Sequence, residues 1–330
     1  MIRVSCLASF ALLIFASAGL ADEPKVGDRL ERRGDEIVVC GQLFHTGTPV
    51  VTWMDPGGYD AYRTELRFGP IEKSAFMKNQ EKLKSPNRYG IREAGLTPEQ
   101  LEKVRGGGWD LPMLQGVVDQ FVIHYDVAGA SKTCFRVLHD ERALSVQFML
   151  DLDGTIYQTL DLKERAYHAS IANTRSIGIE IANMGAYANI NTPSVTRWYG
   201  KDAEGKTRLT LPNPELLPAR SRDLVLRPSR DQPVVGKVQG TELQQYDLTP
   251  QQYEALIKLT ATLCTVFPKI TCDYPRGSDG QLVTRKLGEA DFKNFHGVLG
   301  HYHVQANKTD PGPAFQWDTV IDGAKKLMKK

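Results

Sequence analysis

Residues with chemical capability are concentrated between Gly300 and Pro313. This short stretch holds His301, His303, Lys308 and Asp310. Two imidazoles, an ammonium and a carboxylate in one loop can hold a divalent metal and polarise a carbonyl beside it. Asp310 is followed by Pro311-Gly312-Pro313. A residue before proline is pushed out of helical geometry. The two prolines fix their own φ, and the glycine permits a sharp bend. The carboxylate is therefore expected to be held stiffly. An Asp-Pro-Gly turn alone would be an ordinary surface feature, so partners must come from elsewhere in the chain.

The elements that must position these groups follow from pattern. Residues 117–125 read as an apolar strand that carries His124 near its end. Residues 144–151 form another, closed by the Asp153-Gly154 turn, with residues 155–158 returning as a hairpin partner. Arg175-Ser176-Ile177-Gly178-Ile179-Glu180-Ile181-Ala182 is a strongly apolar strand with one acid in it. Ser176, Gly178 and Ala182 share the face of Glu180, and these small residues leave room beside the carboxylate, as a cleft would. Thr97-Pro98-Glu99-Gln100 and Thr249-Pro250-Gln251-Gln252 have capping-box form, so each is expected to open a helix. A C-terminal helix is expected to start at Pro313 and end in lysines. Strands interleaved with helices predict an α/β fold with a mixed central sheet flanked by helices.

His124 and His301 at strand ends, with the rigid Asp310, form a three-ligand set with an open position. That is the arrangement of a catalytic zinc. His303, two residues from His301, would share its face if the strand continued, so it competes with Asp310 as third ligand.

These features resemble a known family. A strand histidine (His124), then Arg175-Ser176-Ile177-Gly178-Ile179-Glu180, then Gly300-His301 and Lys308-Thr309-Asp310-Pro311-Gly312-Pro313-Ala314-Phe315 with Trp317, is similar to the zinc-dependent N-acetylmuramoyl-L-alanine amidases. These share a fold with peptidoglycan recognition proteins and phage lysozyme-type amidases. The resemblance spans about residues 120–318. It implies zinc (Zn2+) on His124, His301 and Asp310. It implies Glu180 as general base for the attacking water and Lys308 as the group that stabilises the oxyanion. It also implies His168 as a residue lining the substrate groove. Some relatives carry a tyrosine where this chain has Val146, which puts more weight on Glu180. The implied reaction is hydrolysis of the amide between N-acetylmuramic acid and L-alanine in peptidoglycan or muropeptides. The same fold also serves non-catalytic peptidoglycan-binding modules, and a zinc peptidase cutting the stem peptide is a third reading.

Composition sets the context. Residues 1–21 read as a cleavable secretory signal: Arg3 supplies a positive start, an apolar stretch runs from about Leu7 to Leu20, and small residues precede Asp22-Glu23. The stretch is too short for a comfortable membrane span. An exported, periplasmic or secreted protein without stable membrane insertion after cleavage is expected. The formal charge of the whole chain is +2. Losing Arg3 leaves +1, and with no basic stripe nucleic acid is not an expected partner. Residues 22–112 read as an N-terminal extension with short strands and a helix, and residues 113–330 as the amidase domain. Within that domain, about 186–246, rich in Pro, Arg and Asn, reads as an inserted loop region. In the extension, residues 36–44 and 49–53 read as strands joined by a turn at Thr46-Gly47-Thr48. His45, Trp53 and Tyr59 are candidates for an extended groove, though packing is the simpler reading. Cys264 and Cys272 are the favoured disulfide pair, with Cys40–Cys134 by default.

Overall fold

Side-chain alternation along the strands Gln120–Tyr125, Phe148–Leu150 and Ser176–Ile181 gives the central sheet two different faces. Phe121, Ile123, Phe148, Leu150, Ile177, Ile179 and Ile181 enter the main hydrophobic core. The alternate positions Val122, His124, Met149, Ser176, Gly178 and Glu180 point the other way. The computed structural model describes residues 26–27, 31–64 and 87–329. The expected signal segment and the charged stretch 73–84 lie outside the described residues.

The sheet has six strands. From one edge they are Gly297–Gly300, Gln120–Tyr125, Ser176–Ile181, Phe148–Leu150, Ile156–Gln158 and Val50–Thr52. The only antiparallel pair among them is Phe148–Leu150 with Ile156–Gln158. The fold is thus mixed α/β. The register sets His124 directly beside Glu180, and Glu180 beside Met149. The helices Pro250–Val266 and Trp317–Met328 cover the core face, through Leu256, Leu259, Leu263, Val320 and Ile321. Both capping boxes form. The Thr249 side chain accepts from Gln252 N–H at 3.1 Å, and Gln252 Oε1 accepts from Thr249 N–H at 2.9 Å.

Residues Arg33–Lys330 form one compact unit. Val50–Thr52 is an edge strand of the central sheet, so residues before 113 take part in it. Preceding it, Glu36–Val39 and Gln42–His45 form an antiparallel hairpin. Its turn is Cys40-Gly41, at φ 50 and 72, inside what reads as one strand over residues 36–44. The expected bend at Thr46–Thr48, with Gly47 at φ 73, links this hairpin to Val50–Thr52. Fully buried Gln158 ties the hairpin down: its amide accepts from Val38 N–H at 2.8 Å and donates to Val38 O at 2.8 Å and Leu160 O at 2.8 Å.

Other boundaries also differ from expectation. The run before His124 starts as a helix, Leu111–Val117, capped by Asp110, and only Gln120–Tyr125 is strand. The C-terminal helix begins at Trp317, because Gly312–Phe315 is occupied by a turn. Residues 186–246 are not irregular. They contain the hairpins Tyr199–Lys201/Thr207–Leu209 and Val234–Val238/Thr241–Gln245, and they supply Ile190, Val195, Trp198, Tyr199, Leu217 and Leu226 to an apolar cluster shared with Ala130, Leu152, Ala182 and Met184. Strands of three to five residues are too short to show periodicity. All four described cysteines are free thiols. Cys264 and Cys272 are buried in the same core cluster, and Cys272 Sγ donates to Ile321 O at 3.7 Å. Cys40 packs against the main core and Cys134 within a separate cluster, so the default pair does not form.

Replacing Gln158 with Leu should strand Val38 N–H and Leu160 O and leave Val38 O with only Leu162 N–H at 3.4 Å. We expect a loss of about 2–4 kcal/mol in urea unfolding, from about 1–3 kcal/mol per orphaned group with partial relaxation. A change below about 0.5 kcal/mol would show that the amide is not what holds the hairpin.

Candidate active site

His124 occupies the carboxyl end of its strand, facing away from the core. His301 follows Gly300 at the end of the neighbouring strand, where the backbone turns at once into the short helix His301–Val304. The strand does not continue, so His303 does not share the face of His301. Its Nδ1 accepts from Gly300 N–H at 2.8 Å, and its Nε2 donates to Val283 O at 2.5 Å. Both ring nitrogens of His303 are thus engaged away from the cluster.

The described residues instead bring His124, His301 and Asp310 to one point, and all three are buried. His124 Nδ1 and His301 Nδ1 are 2.9 Å apart, and each lies 2.9 Å from Asp310 Oδ2. The outer nitrogens have other partners. His301 Nε2 is 2.7 Å from Gln305 Oε1, an acceptor that requires the proton on Nε2. His124 Nε2 is 3.0 Å from His168 Nδ1. With the protons on these outer nitrogens, as binding a metal requires, the three inner atoms would present converging lone pairs. Burial, then the neighbouring His301, holds His124 down at about 4, so its ring is neutral at physiological pH. Burial acts to raise the Asp310 pKa, but the two histidines outweigh it, and the carboxyl is held well below the usual range. A buried triangle of two imidazole nitrogens and a carboxylate oxygen fits a divalent ion. Zinc with bonds of about 2.0 Å in tetrahedral geometry would space its donors at about 3.3 Å, a few tenths wider than the observed triangle.

The Asp310 loop is braced by more than its prolines. Gln245 Nε2 donates to Pro311 O at 3.0 Å, and its Oε1 accepts from Ala314 N–H at 3.0 Å. Gly312, at φ 85, lies so close to this amide that a Cβ there would meet Oε1 at 2.1 Å. Gln239 Nε2 reaches Tyr302 O at 2.9 Å, Gln305 O at 3.1 Å and Lys308 O at 3.3 Å. Both glutamines come from the segment that reads as an inserted loop. Nothing in their sequence surroundings marks them, since their role depends on a hairpin formed far along the chain.

His124, His301 and Asp310 line a cavity of about 670 Å³ together with Glu180, Lys308 and His168. Glu180 Oε2 is buried and without a hydrogen-bond partner among the described residues. Burial, then the charges of Asp310 and Asp126, pushes its pKa well above the usual value, while Lys308 opposes the shift. Arg142, Arg197 and Trp198 also line the cavity, and the sequence alone did not single them out. His45 and Trp53 are outside this lining, and Tyr59 is buried, stacked on Phe135 and Tyr157. Val146 is buried in the same cluster as Tyr59. A second acid–histidine group, Asp35, Glu36 and His45, is internally satisfied, with Glu36 accepting from Arg33 N–H at 2.6 Å and Gly34 N–H at 2.9 Å.

A family profile described as N-acetylmuramoyl-L-alanine amidase matches residues 114–313, which include every residue of this cluster. The chain belongs to that family. It is accordingly an amidase, a hydrolase of a peptidoglycan amide. Among solved structures it is similar to a selenomethionine derivative of AmpD, at 17% identity over 72% of this chain and 89% of that one, TM-score 0.32. It is also similar to AmiD from E. coli in complex with anhydro-N-acetylmuramic acid-L-Ala-D-gamma-Glu-L-Lys, at 18% identity over 62% and 57%, TM-score 0.35. AmpDh3 from Pseudomonas aeruginosa is similar at 17% identity over 62% and 59%, TM-score 0.36. No curated protein matches the chain.

The triangle predicts one divalent ion per chain. In equilibrium dialysis with zinc, Asp310→Ala and His301→Ala should each weaken binding by at least about 100-fold, more than loss of an outer partner does. His303→Gln should keep one ion per chain. Loss of the ion in His303→Gln, with retention in Asp310→Ala, would reverse the ligand assignment.

Proposed function

We propose that the chain is an exported zinc amidase that hydrolyses the bond between N-acetylmuramic acid and L-alanine in peptidoglycan or its fragments. The observation that carries this reading is the convergence of two imidazole nitrogens and a carboxylate oxygen in one cavity with Lys308 and with Glu180, whose Oε2 is buried and unpartnered among the described residues. On this reading residues 1–21 are removed, 22–112 extend the amidase domain at 113–330, and 186–246 is an insertion within it.

His124, His301 and Asp310 would hold the zinc. Bound there, it supplies Lewis acidity that brings a water pKa down to about 7 and polarises the amide carbonyl. Glu180 takes a proton from the attacking water and returns it to the leaving L-alanine nitrogen. Its raised pKa suits both transfers, because the proton is neither held too weakly nor released too reluctantly. Lys308 places its ammonium toward the oxygen that gains charge in the tetrahedral transition state. His168 has a place on the cavity wall, and Arg142 and Arg197 offer guanidinium groups to acidic positions of a stem peptide.

Incubation with a purified muropeptide and zinc, read by mass spectrometry, should yield the free muramyl sugar and an intact stem peptide. Shortened stems would point to a peptidase, and no product to a recognition module. Glu180→Gln should lower kcat by about 10²–10⁴-fold with zinc still bound. Lys308→Ala should cost about 10²–10³-fold. The base must be ionised to work, and its pKa is raised, so activity is lost as pH falls through that raised value. The acid limb of kcat/KM should therefore lie above the ordinary glutamate value of about 4.3. Full activity below that value would contradict the assignment of Glu180.

A further inference from the structure

We propose that His168 is a positioning residue for the metal centre: it fixes the tautomer and ring orientation of His124. This inference rests on the reading of His124 as a zinc ligand. His168 Nδ1 lies 3.0 Å from His124 Nε2, and the two rings meet nearly edge-on, at 83° with centroids 5.2 Å apart. On its far side, His168 Nε2 lies 3.2 Å from Ser176 Oγ. The Ser176 hydroxyl can accept or donate, so two neutral arrangements satisfy both contacts; the one compatible with metal on His124 Nδ1 has His168 donating from Nε2 to Ser176 and accepting at Nδ1. His124 must then carry its proton on Nε2, which leaves its Nδ1 lone pair free for the metal.

The surroundings hold the second ring in place. Asn173 Oδ1 accepts from the backbone N–H of His168 at 3.1 Å and of Ala169 at 2.6 Å. Gly178 admits the ring, since a Cβ there would sit 2.5 Å from His168 Nδ1 and 2.6 Å from its Cε1. Successive positions on one strand face thus have successive tasks. Ser176 anchors the outer imidazole, Gly178 makes space for it, and Glu180 faces the cavity. Without His168, the His124 tautomer protonated at Nδ1 becomes accessible. That form directs a hydrogen at the other two donors and competes with metal binding.

The test is zinc affinity of the full chain, measured by competition with a chromophoric chelator, with circular dichroism to verify folding. His168→Leu should bind zinc about 10–100-fold more weakly. His168→Gln offers an amide oxygen to His124 Nε2–H and should stay within about threefold of the parent. Gly178→Ala displaces the ring without changing it and should resemble the Leu variant, which keeps the test open should His168→Leu not fold. In the zinc-free parent, ¹⁵N NMR should show His124 protonated on Nε2. Parent-like affinity in His168→Leu or, should that not fold, in Gly178→Ala, equal losses in the Gln and Leu variants, or an Nδ1-protonated His124 would each overturn the proposal while leaving the metal reading intact. A parent chain that binds no zinc would overturn both.

Discussion

Three atoms that can donate electron pairs are held 2.9 Å from one another in a buried space, and joint ligation requires that no proton lie between them. That arrangement is unfavourable until a cation occupies it, because buried lone pairs of like polarity repel in a medium that screens poorly. Much of the rest of the structure acts to maintain it. Gln305 engages the far nitrogen of His301, and His168 that of His124. Gln239 and Gln245 fix the loop that presents Asp310. Each device removes a way for the three donors to separate or to take up a proton.

The sheet supplies the frame through its alternation. On the Glu180 strand, every second residue is an isoleucine packed against the helices, and the intervening ones are Ser176 and Gly178, against His168, and Glu180, facing the cavity. Stability and chemistry are therefore assigned to opposite faces of the same six residues. The parallel register then sets His124 beside Glu180 without any loop having to place them. A loop is needed for Lys308 and Asp310, and Gln239 and Gln245 brace it.

Much of the site was legible because strand ends and prolines leave strong local signals. The apolar strand around Glu180, the histidine closing its own strand, and Asp310 before Pro-Gly-Pro can each be read within a few residues. The choice between His303 and Asp310 could not be read that way. It depends on whether the backbone after Gly300 stays extended or coils, and the structure shows it coils, turning His303 to Val283. The bracing glutamines were invisible for a related reason: their partners are between about sixty and seventy residues away in the chain. The Cys40-Gly41 turn was masked by the apolar residues on either side. The strands of residues 186–246 are two to five residues long and their apolar residues are divided between the main core (Val238, Leu243) and a second cluster (Tyr199), so no long periodic pattern announced them.

The most direct test of this account is a crystal structure of the zinc-loaded chain, with anomalous data collected at the zinc edge. The account predicts a single strong peak within about 2.2 Å of His124 Nδ1, His301 Nδ1 and an Asp310 carboxylate oxygen. Lys308 and Glu180 should flank the open side. A peak coordinated by His303, ligation through the Nε2 atoms, or no ordered zinc at this point would contradict it.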